Sequence, residues 1–170
     1  RIRNSPLVIT SQGKLLKHAM LGLAACLLVV SCRPDKAVDT GVNLYHVVGV
    51  DLLSMDSVRY SNAVGNAFSV TRLEYYLSGF ELMDTEGEVT ALDGVYYVNA
   101  QEATTHDLSL GKLNPGTYQQ LTFNIGLAPD INDLSKLPNT LENTGMQWPE
   151  MMGGGLHFMK MEGHFMDSVG

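Results

Sequence analysis

Phe68-Ser-Val-Thr-Arg-Leu-Glu-Tyr-Tyr-Leu-Ser-Gly-Phe-Glu-Leu82 decides the fold, because it can be read in two ways. Val70, Leu73, Leu77 and Phe80 recur at the spacing of a helix face. The β-branched and aromatic content, with Ser78-Gly79 inside it, instead favours a strand interrupted by a bulge. Its surroundings agree with the strand. Met83-Asp-Thr-Glu-Gly-Glu-Val89 has the composition of a hairpin turn with Glu86-Gly87 at its tip, and short strands are expected at 89–92 and 95–99. Pro115-Gly116 carries proline and glycine in the order a tight turn asks for. Beyond it Leu121, Phe123, Ile125 and Leu127 alternate, pointing one way. Upstream, Leu44, His46, Val48 and Val50 alternate too, which sets His46 in line with apolar residues. Tyr60–Ala67 holds a turn-like Asn and Gly cluster. Short strands between Gly, Pro and Asn turns, with no sustained helical period, indicate an all-β fold, an antiparallel β-sandwich. Residues 128–145 form a long polar connection, of the length that is functional, partly helical or disordered.

The first 31 residues read as export machinery. Lys14, Lys17 and His18 precede the apolar run Ala19–Val30, which ends at Ser31-Cys32. A basic flank, a short apolar segment and a small residue before the cut mark a secretory signal. The run falls short of the roughly 20 residues a spanning helix needs. Val29-Val30-Ser31-Cys32 resembles a bacterial lipobox, which implies cleavage before Cys32, lipid on its sulfur and a place in the bacterial cell envelope, periplasm-facing or at the surface. No methionine precedes Met20, which sets the true start elsewhere than Arg1. The expected organisation is a signal over 1–31, a polar tether over 32–43 and one domain over 44–170. With Cys26 in the signal and Cys32 lipidated, neither of the two cysteines serves a disulfide or a cysteine metal cluster. After residue 31, seven lysines and arginines face all 18 acidic residues, a formal charge of −11. That balance argues against nucleic acid as a partner. There is no phosphate loop and no G-x-S-x-G elbow, so no enzyme activity is expected.

Chemistry concentrates between Met146 and Phe165. This stretch holds the single tryptophan, Trp148, two of the five histidines, His157 and His164, and five of the nine methionines. Neutral imidazole is a general metal ligand, and thioether sulfur suits soft ions such as Cu(I). The run Gly153-Gly154-Gly155 allows a sharp turn before Leu156–Phe165, which reads as a strand. On a regular strand His157, Met159 and Met161 share one face, and His164 lies on the other with Leu156, Phe158, Lys160 and Glu162. One ion can then meet both His157 and His164 only if Gly163 introduces a bulge or ends the strand. A His157-Met159-Met161 cluster therefore competes with a His46-plus-His164 arrangement, and core packing competes with both for the methionines. His106, in Thr104-Thr-His-Asp107, reads as a loop histidine outside the ligand set.

Several of these stretches together resemble the MbnP family. They are His46-Val-Val-Gly49, Tyr60-Ser-Asn-Ala-Val-Gly65, Phe68–Ser78, the Pro115–Tyr118 turn with Leu121–Gly126, Met146-x-Trp148, and Gly-Gly-Leu-His-Phe-Met-Lys-Met-Glu-Gly163. Members of that family are periplasmic or outer-membrane-attached copper-binding proteins, related to the MopE protein of methanotrophs. The resemblance implies a β-sandwich-like domain that binds copper through histidines. It also implies a redox partner that modifies the tryptophan, since in some members a tryptophan near the site is oxidised to kynurenine. His46, His157, His164, Trp148, Met159 and Met161 are the candidate metal residues, and Cys32 the lipidated one. Members continue with further strands past the E-G-H segment, so the resemblance implies a chain truncated at its C-terminus. Many also carry a second aromatic soon after the tryptophan, where this chain has Pro149-Glu150-Met151. The reading is an exported, lipid-anchored copper carrier or store. The alternative is a non-catalytic sandwich interaction module, adhesin-like or glycan-binding.

Overall fold

The computed structural model describes residues 7–9 and 36–166. The early strands are short: β1 (Leu7–Ile9), β2 (Val38–Asn43), β3 (Val47–Val48), β4 (Asp51–Leu52), β5 (Tyr60–Ser61) and β6 (Ala67–Phe68). The long ones follow: β7 (Arg72–Asp84), β8 (Val89–Asn99), β9 (Asp107–Leu113) and β10 (Gly116–Ile125), then the helix α1 (Leu141–Gly145) and β11 (Met159–Glu162). All strand pairing is antiparallel. The expected signal segment lies outside the described residues except for β1, which pairs with the start of β10.

β7 is the spine. β8 pairs along one of its edges from Glu74 to Met83. β10 takes the other edge over Leu77–Asp84, and β11 continues that edge over Arg72–Tyr75. The bulge expected at Ser78-Gly79 is present. Asn124 pairs with Ser78 while Thr122 pairs with Glu81, so β7 carries one more residue than β10 there, and Gly79 sits at φ +60°. The extra residue passes the inward face from Leu73, Tyr75 and Leu77 to Phe80 and Leu82. An alternating strand with one inserted residue spaces Leu73, Leu77 and Phe80 four and then three apart. That spacing is the stripe that mimicked a helix.

Against this face lies the two-stranded sheet of β2 and β9. Leu108 and Leu110 pack with Leu77, Phe80 and Val98, and Val42, Leu44 and Phe123 close the cluster. These layers form the expected sandwich. The tether expected over 32–43 contains β2, which covers a core face and so belongs to the fold. The opposite face of β7 is covered by the long connection after β10, which is partly helical. There Tyr76, Met146 and Leu156 are buried among Leu127, Leu134 and Leu137. Tyr76 Oη donates to Asn143 Oδ1 at 2.7 Å, and Asn143 Nδ2 donates to the Pro138 carbonyl at 2.8 Å. Ser78 Oγ, also buried, donates to the Gly126 carbonyl at 2.8 Å.

Several expected boundaries move. The strands expected at 89–92 and 95–99 are one strand, β8, which passes through Gly94 at φ +144°. The alternation from Leu44 to Val50 keeps Leu44, His46 and Val48 half-buried, but only Val47–Val48 pairs as strand and Val50 is 96% exposed. Ile125, expected on the face of Leu121 and Phe123, pairs across from Leu77 at the end of β10 and is exposed. The strand expected over 156–165 shortens to β11, since the chain bends at Phe158. Among the described residues no helix is long and apolar enough to cross a membrane.

Two substitutions test this frame. An L-residue at Gly79 must hold a left-handed conformation, and a Cβ there would stand 2.7 Å from Asn124 Nδ2. Gly79→Ala should cost roughly 1–2 kcal/mol from backbone strain alone, read as a lower urea midpoint, and an unchanged midpoint would refute the bulge. Tyr76→Phe strands the Asn143 acceptor and should cost about 1–3 kcal/mol, with protease sensitivity rising first within 128–156.

Candidate metal-binding residues

The tryptophan segment is closed by its own backbone. Trp148 N–H donates to the Gly155 carbonyl at 2.8 Å, and His157 N–H to the Met146 carbonyl at 2.7 Å. Between them Pro149 leads a 3₁₀ turn over Glu150–Met152, and Gly153, Gly154 and Gly155 all hold positive φ. Three successive left-handed residues are cheap only for glycine, so the run is what lets the chain double back. Trp148 Nε1 donates to the Met152 carbonyl at 3.0 Å. The indole is thereby held edge-on to His157, with ring centroids 4.5 Å apart. Burial, and then the charges of Lys160 and Arg72, hold His157 below the ordinary imidazole value.

A second histidine pair lies elsewhere. His46 and His106 meet edge to face with centroids 4.9 Å apart. His46 Nε2 shares a 3.0 Å hydrogen bond with Tyr75 Oη. His106 Nε2 donates to the Asn99 carbonyl at 2.9 Å, because a carbonyl can only accept. Burial, and then His106, lower the His46 pKa, and burial raises that of Tyr75. His106 is fixed by the 3₁₀ turn Ala103–Thr105, whose Thr105 Oγ1 accepts from Asn99 N–H at 2.9 Å. The Leu44 N–H donates to the His106 carbonyl at 2.9 Å, which draws the two histidine-bearing segments together.

The two pairs lie on opposite faces of the central sheet. Tyr75, the partner of His46, packs with the β2–β9 side, whereas its neighbour Tyr76 packs with the segment that carries Trp148. Neighbouring strand residues point to opposite faces.

Neither arrangement expected from the strand parity is reproduced. The bend at Phe158 breaks the alternation, so His157 turns to Trp148 and does not continue the row of Met159 and Met161. Met161 is 63% exposed and pairs across from Leu73, while Met159 pairs across from Tyr75. His164 is exposed and tied by its backbone to Ser69, away from both imidazole contacts. His106, read from the sequence as a loop histidine, is brought against His46 because the β2–β9 register ends at Asn43 opposite Asp107 and so leads Leu44 to His106, a pairing that no pattern in the sequence announces.

Among the described residues no three His, Cys, Asp or Glu side chains converge as a metal group. The imidazole contacts present are His46 with His106 and His157 with Trp148. A cleft of about 290 Å³ beside Tyr76 is lined by Tyr97, Glu102, Thr140 and Glu142 and contains neither histidine nor methionine. It is not a soft-metal site. No curated protein and no solved structure matches this chain. The bulged β7, the Pro115-Gly116 turn and the Trp148-to-Gly163 segment all fall within residues 39–170, the span matched by the model of one family, and by that match the chain belongs to the MbnP family.

Proposed function

We propose that this protein is an exported, lipid-anchored copper-binding protein that carries or stores the ion without turnover. The observation that carries the reading is the Trp148–His157 contact, with ring centroids 4.5 Å apart. It lies in the segment through which the chain resembles copper-binding MbnP proteins. His157 would supply an imidazole nitrogen, and copper held there would lie against the indole, in position for a redox partner to act on Trp148. The closed Trp148–Gly155 loop pre-organises both rings, so little ordering is left for the ion to drive. Copper, when bound, supplies the redox chemistry, and the chain supplies neutral nitrogen and an apolar wall.

Titration of the full chain with Cu(I) tests this reading. His157→Ala should weaken binding by at least tenfold, while His164→Ala leaves it unchanged. Equal binding by parent and His157→Ala would remove the Trp148–His157 site, and failure of the parent to bind would favour the interaction module. The pH dependence has a definite sign. Lowered imidazoles are neutral above the ordinary value of about 6.5, so affinity should be flat there and fall only at lower pH as protons compete. Stability should follow the same direction. The unfolded imidazoles take up protons first, so the contribution of His46 and His157 is complete above about 6.5 and declines below it.

Anchoring rests on Val29-Val30-Ser31-Cys32, outside the described residues. Cys32→Ala should move the protein from the membrane to the soluble fraction, or leave it unprocessed at the higher mass. Unchanged fractionation and mass would rule out the lipid anchor.

A further inference from the structure

We propose that the cleft between Tyr76 and the helix α1 binds a small organic cation, an ammonium group carried on a ring or a short alkyl body. The cleft, of about 290 Å³, contains neither histidine contact and takes no part in the copper reading. Its size lies near the lower end of the roughly 300–1,000 Å³ usual for small-molecule sites. Strands β7 and β8 supply Tyr76, Val95 and Tyr97, the residues after β8 supply Glu102, and the connection through α1 supplies Leu137 and Glu142. Tyr76 is 1% exposed, so a ligand can meet it only from inside, and it marks the deep end. Val95, Tyr97 and Leu137 are half-buried and form the wall. Glu102 and Glu142 are exposed and stand at the mouth, on separate elements.

The lining fixes the sign of the ligand. Among the described residues no Lys, Arg or His lines the cleft, whereas two carboxylates do. The polar groups inside are already engaged. Tyr76 Oη donates to Asn143 Oδ1 at 2.7 Å, and Thr140 Oγ1 accepts from Asn143 N–H at 3.2 Å. Thr105 Oγ1 accepts from Asn99 N–H at 2.9 Å and donates to the Glu102 carbonyl at 2.7 Å. A polyol, which needs many matched donors and acceptors, would find few unspent partners there. What stays free is negative charge at the mouth, and its field reaches inward. Burial, then the Glu74 carboxylate and also that of Glu142, push the Tyr97 phenol up to about 12. Arg72 opposes that shift, but it is paired with Glu74 at 3.1 Å and with Glu162 at 3.3 Å. Tyr76 and Tyr97, with ring centroids 6.0 Å apart, both stay protonated at neutral pH and give an uncharged aromatic wall. Aromatic rings attract a cation within about 6 Å of the centroid, and Val95 and Leu137 cover an apolar body. An apolar body inside and a cationic head at the carboxylates match the cleft from end to end.

Phenethylammonium has that shape, and 2-phenylethanol and 3-phenylpropionate are its neutral and anionic counterparts. Titrated into the metal-free full chain and followed by amide resonances, phenethylammonium should bind with a Kd of about 1 mM or lower, shifting Tyr97, Glu142 and Asn143. Metal-free protein keeps the outcome independent of the copper reading. The alcohol and the carboxylate should bind at least about fivefold more weakly. Raising salt from about 50 mM to about 500 mM should weaken the ammonium roughly threefold or more and leave the alcohol unchanged. Glu102→Lys reverses a charge at an exposed turn, and Glu142→Gln removes one from an exposed helix position. Each should weaken the ammonium about 3-fold to 10-fold and spare the alcohol, whose unchanged binding reports an intact cleft. Equal affinity for the ammonium and the alcohol, or full retention of the ammonium by both variants, would overturn the proposal. So would shifts at Tyr97 and Asn143 produced by N-acetylglucosamine and not by the ammonium, which would make the cleft a glycan site.

Discussion

One inserted residue in the central strand governs the fold. A strand that alternates strictly over 13 residues would turn either Leu73, Tyr75 and Leu77 or Phe80 and Leu82 away from the core. Gly79 absorbs the mismatch at φ +60°, where glycine alone is unstrained. The inward face then runs unbroken from Leu77 through Phe80 to Leu82. Because the same strand is paired on both edges, its bulge also sets where β10 ends and where β11 takes over. The two faces of β7 are consequently both buried, one under a small sheet and the other under an irregular connection.

That division assigns the chemistry. The face under β2 and β9 receives His46 and His106, brought together by the Leu44-to-His106 backbone hydrogen bond. The other face receives Trp148 and His157, held by a loop that three glycines close. Tyr75 and Tyr76, adjacent in sequence, report the two environments. The first meets an imidazole at 3.0 Å and the second a buried amide at 2.7 Å. Burial pushes the pKa of both phenols up, so each stays protonated and available as a hydrogen-bonding group at neutral pH. The acidic surface, with a net charge of −7 for the whole chain, adds a general attraction for cations that neither pair depends on.

Local patterns in the sequence carried most of the fold. The Gly79 bulge and the hairpin turn at Glu86-Gly87 each depend on residues within a few positions of one another, and each is present, whereas Gly116, expected in a tight turn after Pro115, opens strand β10 without a positive φ. The core role of β2 was hidden because Val38-Asp-Thr-Gly-Val-Asn43 is mostly polar and covers the sheet with little more than Val42. The contacts of the candidate metal-binding residues were only half legible. Their types and the Trp148–His157 segment stand out in the sequence. Which histidine meets which depends on a bend at Phe158 and on contacts between residues 60 positions apart. Strand parity cannot foresee a bend that follows from docking, and His106 looked like a loop residue because its partner arrives from a distant segment.

X-ray absorption at the copper K-edge of the copper-loaded full chain tests the soft-metal account most directly. The account predicts the edge of Cu(I) and imidazole scattering with nitrogen at about 2.0 Å. A first shell of oxygen alone, without the outer scattering of imidazole rings, would contradict it.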